Sequence, residues 1–85
     1  MPVEFDGTTA VLSARVTVEE AEPLAAWLRE TTAARVDLSA CEHLHTAALQ
    51  ALLAARAVVT QPPSDAFLTR WILPLLTTEP AAVAA

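Results

Sequence analysis

The hydrophobic period of this chain changes at one residue, Thr17, and that change limits the fold more than any other feature. From Thr9 to Val16 the pattern repeats every two residues, with Ala10, Leu12, Ala14 and Val16 on one side and Thr9, Val11, Ser13 and Arg15 on the other. A strand of this kind lays its apolar side on a core. Beyond Thr17 the apolar residues recur at helical spacing, at Val18, Ala21, Leu24, Ala25 and Leu28. Thr17-Val18-Glu19-Glu20 between them has the form of a capping box, with Thr17 as N-cap and Glu20 three residues on. A half-buried strand that passes directly into an amphipathic helix calls for an α/β arrangement.

The rest of the chain continues the alternation. Val3-Glu4-Phe5 precedes Asp6-Gly7, which holds the only glycine, so a hairpin into the Thr9–Val16 strand is expected. Pro23 sits awkwardly in the first helical run, and one reading starts the regular helix there, since proline suits a first helical position. Trp27 lies beside the apolar stripe, half exposed. Ala34 to Leu38 reads as a strand, Thr46 to Arg56 as a helix with Leu49, Leu52 and Leu53 on its apolar side, and Val58-Val59-Thr60 as a short strand. Gln61-Pro62-Pro63 closes that strand, because proline cannot donate to a ladder. Ser64 or Asp65 can cap a last helix from about Ala66 to Leu76, which Pro74 should kink or end near Leu73. The expected order is β-β-α-β-α-β-α: a small, mostly parallel sheet with helices packed mainly on one face. One domain spans residues 3–76, followed by a flexible Ala-rich tail at 77–85.

Composition sets the scale. Of 85 residues 54% are apolar, but 19 of these are Ala, which leaves 27 larger side chains for one small core. Ten acidic and five basic residues give a net charge of −5, and no basic run exists, so a nucleic-acid partner is not expected. One Cys cannot form an internal disulfide, which suits a reducing, cytoplasmic setting. No secretory start is visible, and the longest apolar stretch, Trp71 to Leu76, is too short to insert in a membrane.

Few positions carry chemistry. Asp37 and Ser39 close the central strand, at the kind of corner where sites collect in α/β sheets, although both also serve as ordinary turn residues. Cys41, His43 and His45 would share one face if extended and are reasonable ligand types, but structural zinc usually takes four ligands, so neither metal nor cofactor is expected. Ser39 or Thr46 near His45 lacks the Gly-rich elbow and oxyanion loop of a hydrolase, so the chain is not expected to be an enzyme. Thr46, at a helix start, is either a plain N-cap or a phosphoacceptor. A phosphate there would add about −1.5 to −2 charges at the positive end of the helix dipole. In the last helix, Phe67, Trp71 and Leu75 belong to an apolar surface larger than one sheet face can bury, so an oligomeric or partner contact is expected there, a homodimer among the possibilities.

The stretch Val36-Asp37-Leu38-Ser39, then Ala40-Cys41-Glu42-His43-Leu44, then His45-Thr46-Ala47-Ala48-Leu49, resembles the signature of STAS domains, found in anti-sigma factor antagonists, sulfate transporters and a lipid-transporter subunit. Asp37-Leu38-Ser39 stands where the family has D-L-S, and His45 to Leu49 stands where it has D-S/T-S/A-G-L. The resemblance covers roughly residues 3 to 76. It implies that Thr46 is the phosphoacceptor, that Asp37, Ser39 and His45 are its motif neighbours, and that Ala47, Ala48 and Gln50, on the exposed side of the helix, help to dock a partner. His45 replaces the family's acidic residue, Ala48 its glycine, and the family's last strand and helix have no counterpart, so the likeness is to a truncated form, divergent at the phosphosite. The function implied is a non-enzymatic regulatory protein that binds an anti-sigma factor or kinase-like signalling partner and is switched by phosphorylation at Thr46. The alternative is a constitutive adaptor subunit of a larger assembly, a transporter or a chemosensory complex.

Overall fold

A computed structural model describes residues 2–77. Strands β1 (Val3–Asp6) and β2 (Thr9–Val16) form the hairpin, and Gly7 at the turn takes φ +62°, a value open to glycine without strain. Helix α1 (Val18–Glu30) leads to β3 (Arg35–Leu44), then α2 (Thr46–Ala55) and β4 (Val58–Gln61). A π-helical turn (Leu68–Ile72) and a short helix α3 (Leu73–Thr77) follow. The expected tail at 77–85 thus has its first residue, Thr77, inside α3, while its remaining residues lie outside those described.

The four strands stand in the order β1-β2-β3-β4. The first pair is antiparallel, with Val3 opposite Leu12, and the other two pairs are parallel. The fold is therefore α/β, with a mixed sheet. Val3, Ala10, Leu12, Val16, Val36 and Leu38 form one buried face, covered by Ala21, Leu24 and Leu28 of α1, Ala48 and Leu52 of α2, and Leu68 of the π turn.

The capping box forms as the sequence predicts. The Glu20 carboxylate accepts from the Thr17 N–H at 2.7 Å and from its hydroxyl at 2.6 Å, so α1 begins at Val18, ahead of Pro23. Pro23 lies inside the helix and only deprives the carbonyl of Glu19, an exposed residue, of its usual donor. The half-buried Trp27 stacks on Phe5 of β1, with ring centroids 4.9 Å apart.

Three expectations need correction. The third strand does not stop at Leu38 but runs to Leu44, because register shifts opposite Leu12 and again between Ala14 and Arg15 absorb extra residues of β3. Its buried positions are then Val36, Leu38, Cys41 and Leu44, so the period lengthens from two to three. At the second shift Ala14 adopts φ 52° and turns outward, although simple alternation assigns it to the core. Pro74 does not end the last helix. The turn before it widens instead, with the Leu73 N–H bonded five residues back to the Leu68 carbonyl, and the chain stays helical to Thr77.

Candidate functional site

The junction of β3 and α2 is held by His45. Its N–H donates to the Val16 carbonyl at 2.9 Å, which ties the end of β3 to the end of β2. Its carbonyl accepts from the Leu49 N–H at 3.0 Å, and its Nδ1 accepts from the Ala47 N–H at 3.0 Å. His45, not Thr46, is therefore the N-cap. The imidazole does the work a threonine oxygen would otherwise do, which leaves Thr46 as the first helical residue.

Thr46 is exposed, and its hydroxyl makes no hydrogen bond among the described residues. No acidic side chain stands in the first turn of α2, so nothing there offsets the positive end of the helix dipole.

The exposed side of α2 differs from the one expected. Ala48 is fully buried and Ala47 packs partly against the core, so neither presents a free docking surface, while Gln50 is exposed. Helical spacing explains this: Ala48 and Leu52 share the core-facing side, and Thr46, Gln50, Leu53 and Ala54 lie opposite. Leu53, expected on the apolar side, is instead 41% exposed. The helical repeat from Thr46 was the signal that could have found it. Ala54 also borders a groove of about 310 Å³ between α1 and α2, which Ala25, Leu28, Arg29, Ala51 and Ala55 complete. The groove can seat an apolar side chain beside one cation.

Asp37 and Ser39 lie within β3 instead of closing it. The Asp37 Oδ1 accepts from the Ser39 N–H at 2.9 Å and from its hydroxyl at 2.7 Å, which braces the first register shift. The Ser39 carbonyl accepts from the Ser64 hydroxyl at 3.1 Å, so the pair also anchors the loop beyond β4. Asp37 stands opposite Val11 and Leu44 opposite Val16, and those five steps of β2 span about 16 Å. The strand thus separates Asp37 from Thr46.

Cys41 is buried, and its thiol donates to the His43 carbonyl at 3.4 Å. Burial pushes the thiol pKa up, the backbone of His43 partly opposes it, and the charges of Asp65 and Glu42 push it further up. Glu42 falls in the second register shift, so Cys41 and His43 do not keep the simple alternation that would put them on one face. Among the described residues no group of three or more His, Cys, Asp or Glu side chains is placed to hold a metal ion. Nor is any described helix long and apolar enough to cross a membrane.

No family model matches the chain, and neither does any curated protein or solved structure.

Proposed function

We propose that this chain is a non-enzymatic, STAS-like regulatory protein that docks a signalling partner along the exposed face of α2 and releases it when Thr46 is phosphorylated. The partner is of the anti-sigma factor or serine-kinase type, and the setting is cytoplasmic, which suits the buried, reduced Cys41. The observation that carries the reading is Thr46 itself, an exposed hydroxyl on the first residue of a helix with no acid in its first turn. Gln50 and Leu53 continue the same face, and the Ala-lined groove beside Ala54 receives an apolar side chain of the partner. A phosphate on Thr46 gains from the helix dipole, so the fold tolerates it, while an acidic or apolar partner loses its seat. The order of strands and helices, with two parallel strand pairs, supports the resemblance on which the partner class rests.

The test is a pull-down from the source cells with wild type, Thr46→Glu and Leu53→Glu. A kinase-like or sensor protein captured by wild type and lost with both variants is the expected result. A second reading, the constitutive adaptor subunit, draws on one observation: Asp37 and Ser39 are engaged with each other and with Ser64, away from Thr46. One partner retained equally by wild type and Thr46→Glu would favour the adaptor and sink the switch.

A further inference from the structure

Helix α1 starts on the Glu20 carboxylate and the last segment on that of Asp65, both oxygen acceptors. The start of α2 rests on a nitrogen instead, the His45 Nδ1, which accepts from the Ala47 N–H at 3.0 Å. An imidazole nitrogen accepts only while it carries no proton, so the ring is neutral here and holds its proton on Nε2. Histidine changes charge between about pH 5 and pH 8, a range in which amide and hydroxyl oxygens remain acceptors.

Protonation acts on this cap in two ways, both of the same sign. It places an N–H on Nδ1 facing the Ala47 N–H, so two donors meet and the bond is lost. It also sets a positive charge at the positive end of the helix dipole, where no acid stands in the first turn. The charged groups around the ring are few. β3 supplies Glu42 and His43, β2 supplies Arg15, which stands opposite His43, and the first turn of α1 supplies Glu19 and Glu20. Helices α2 and α3 contribute no titratable side chain. Among the described residues none of these carboxylates bonds to the imidazole, and Glu20 is already engaged by Thr17. No acid therefore holds the charged ring in the cap position.

The next residue offers a second cap. Thr46 is exposed, and its hydroxyl makes no hydrogen bond among the described residues. A threonine oxygen in the cap position accepts from an amide two or three residues on, here Ala48 or Leu49. The rest of the junction does not depend on the ring. The His45 N–H bonds to the Val16 carbonyl at 2.9 Å, and Ala48 and Leu52 are buried. We infer that the cap of α2 passes from His45 to Thr46 when the imidazole takes up a proton, while the remainder of the helix stays on the core. With the ring neutral, the Thr46 hydroxyl is open to solvent. With the ring charged, that hydroxyl is occupied by the helix it caps, and acid withdraws the phosphoacceptor. This consequence rests on the function proposed above, whereas the change of cap does not.

Nuclear magnetic resonance of the free chain from about pH 8 to pH 5 tests this. At the upper end the ring nitrogens should show an unprotonated Nδ1. As the pH falls, the Ala47 amide should shift in step with the His45 ring. Its exchange should become roughly fivefold faster once the intrinsic effect of pH is removed, the change expected from losing one cap. Amides of the sheet core, Val36 and Leu38 among them, should not follow. His45→Asn keeps a side-chain acceptor throughout this range, so its Ala47 amide should stay constant, while His43→Gln should behave as wild type. Thr46→Val lacks the second cap. Its Ala48 and Leu49 amides should match wild type at neutral pH and exchange roughly fivefold faster in acid. A protonated Nδ1 at neutral pH, an Ala47 amide indifferent to the ring, or the same transition in His45→Asn overturns the proposal. So does a Thr46→Val chain that matches wild type in acid, which would leave the opened turn to water, or a core that unfolds together with the turn. None of these measurements involves a partner, so the change of cap and the phosphorylation switch can fail separately.

Discussion

Helix α1 and the segment from Leu68 to Thr77 are built from similar material and end up with opposite roles. Both are rich in apolar residues, both contain a proline, and both have an oxygen cap: Thr17 with Glu20 for α1, and Asp65, whose Oδ2 accepts from the Leu68 N–H at 3.0 Å, for the last segment. In α1 Ala21, Leu24 and Leu28 form one buried stripe, while Val18, expected on the same face, stays exposed in the first turn. In the last segment the apolar residues run around the axis, only Leu68 is buried, and the turn widens ahead of Pro74. Amphipathicity, more than apolar content, decides whether a helix joins the core or displays its surface.

The largest effect should come from truncating matched leucines in the two helices. Leu24→Ala removes a fully buried side chain and should cost about 2–5 kcal/mol, a large share of the 5–15 kcal/mol typical of a whole domain. Leu75→Ala, at an exposed position, should change stability by less than about 0.5 kcal/mol. Urea unfolding of both variants provides the check. Equal losses would show that α3 is buried in solution and would end the contrast.

The same contrast shows what the sequence could and could not reveal. β2 as far as Leu12 and the start of α1 are legible because the period holds there and Thr17 marks the boundary between them, whereas Ala14 and Val18 fit the pattern and are nonetheless exposed. The full length of β3 is not legible, since its register shifts space Leu38, Cys41 and Leu44 by threes, which fits neither a strand nor a helix. The start of α2 is legible, but its cap is not, because threonine oxygens cap helices far more often than imidazoles and Thr46 stands next to His45. The buried side of α2 was obscured by Ala at five of its ten positions: a methyl suits core and surface alike, and so Ala48 could be assigned to the wrong side. The separation of Asp37 from Thr46 follows from the added length of β3 and was lost along with it.

The caps should sharpen the comparison at a smaller scale. Thr17→Ala should lower global stability by about 1 kcal/mol, because α1 cannot detach without exposing Leu24 and Leu28. Asp65→Ala removes a comparable bond, but the segment it holds buries only Leu68, so it should fray locally and global stability should fall less. Amide hydrogen exchange separates the two outcomes. Faster exchange confined to residues 68–77 in Asp65→Ala is expected, and faster exchange over the whole sheet would show that the segment supports the core as α1 does.

The smallest effect is the pH dependence of the α1 cap. The bonds from the Thr17 hydroxyl and N–H hold the Glu20 carboxyl below its ordinary value of 4.5, against a weaker opposing effect of burial. Hydrogen bonds of this kind favour the charged form, so the folded chain binds the proton less readily than the unfolded one. The stabilisation is then fully present above 4.5 and is lost as the pH falls through the lower, folded value. Glu20→Gln keeps an acceptor but not the charge, so it should be less stable than wild type at neutral pH, and the gap should close on acidification below 4.5. Thermal unfolding of the two proteins between neutral and acid pH measures that gap directly. Asp65 also ends its helix with a carboxylate, so Asp65→Asn run in parallel sets the scale for a cap on a segment that buries little. A gap for Glu20→Gln that stays constant with pH would mean that the box works by geometry alone, and that the charge on Glu20 adds nothing to the hold of α1 on the core.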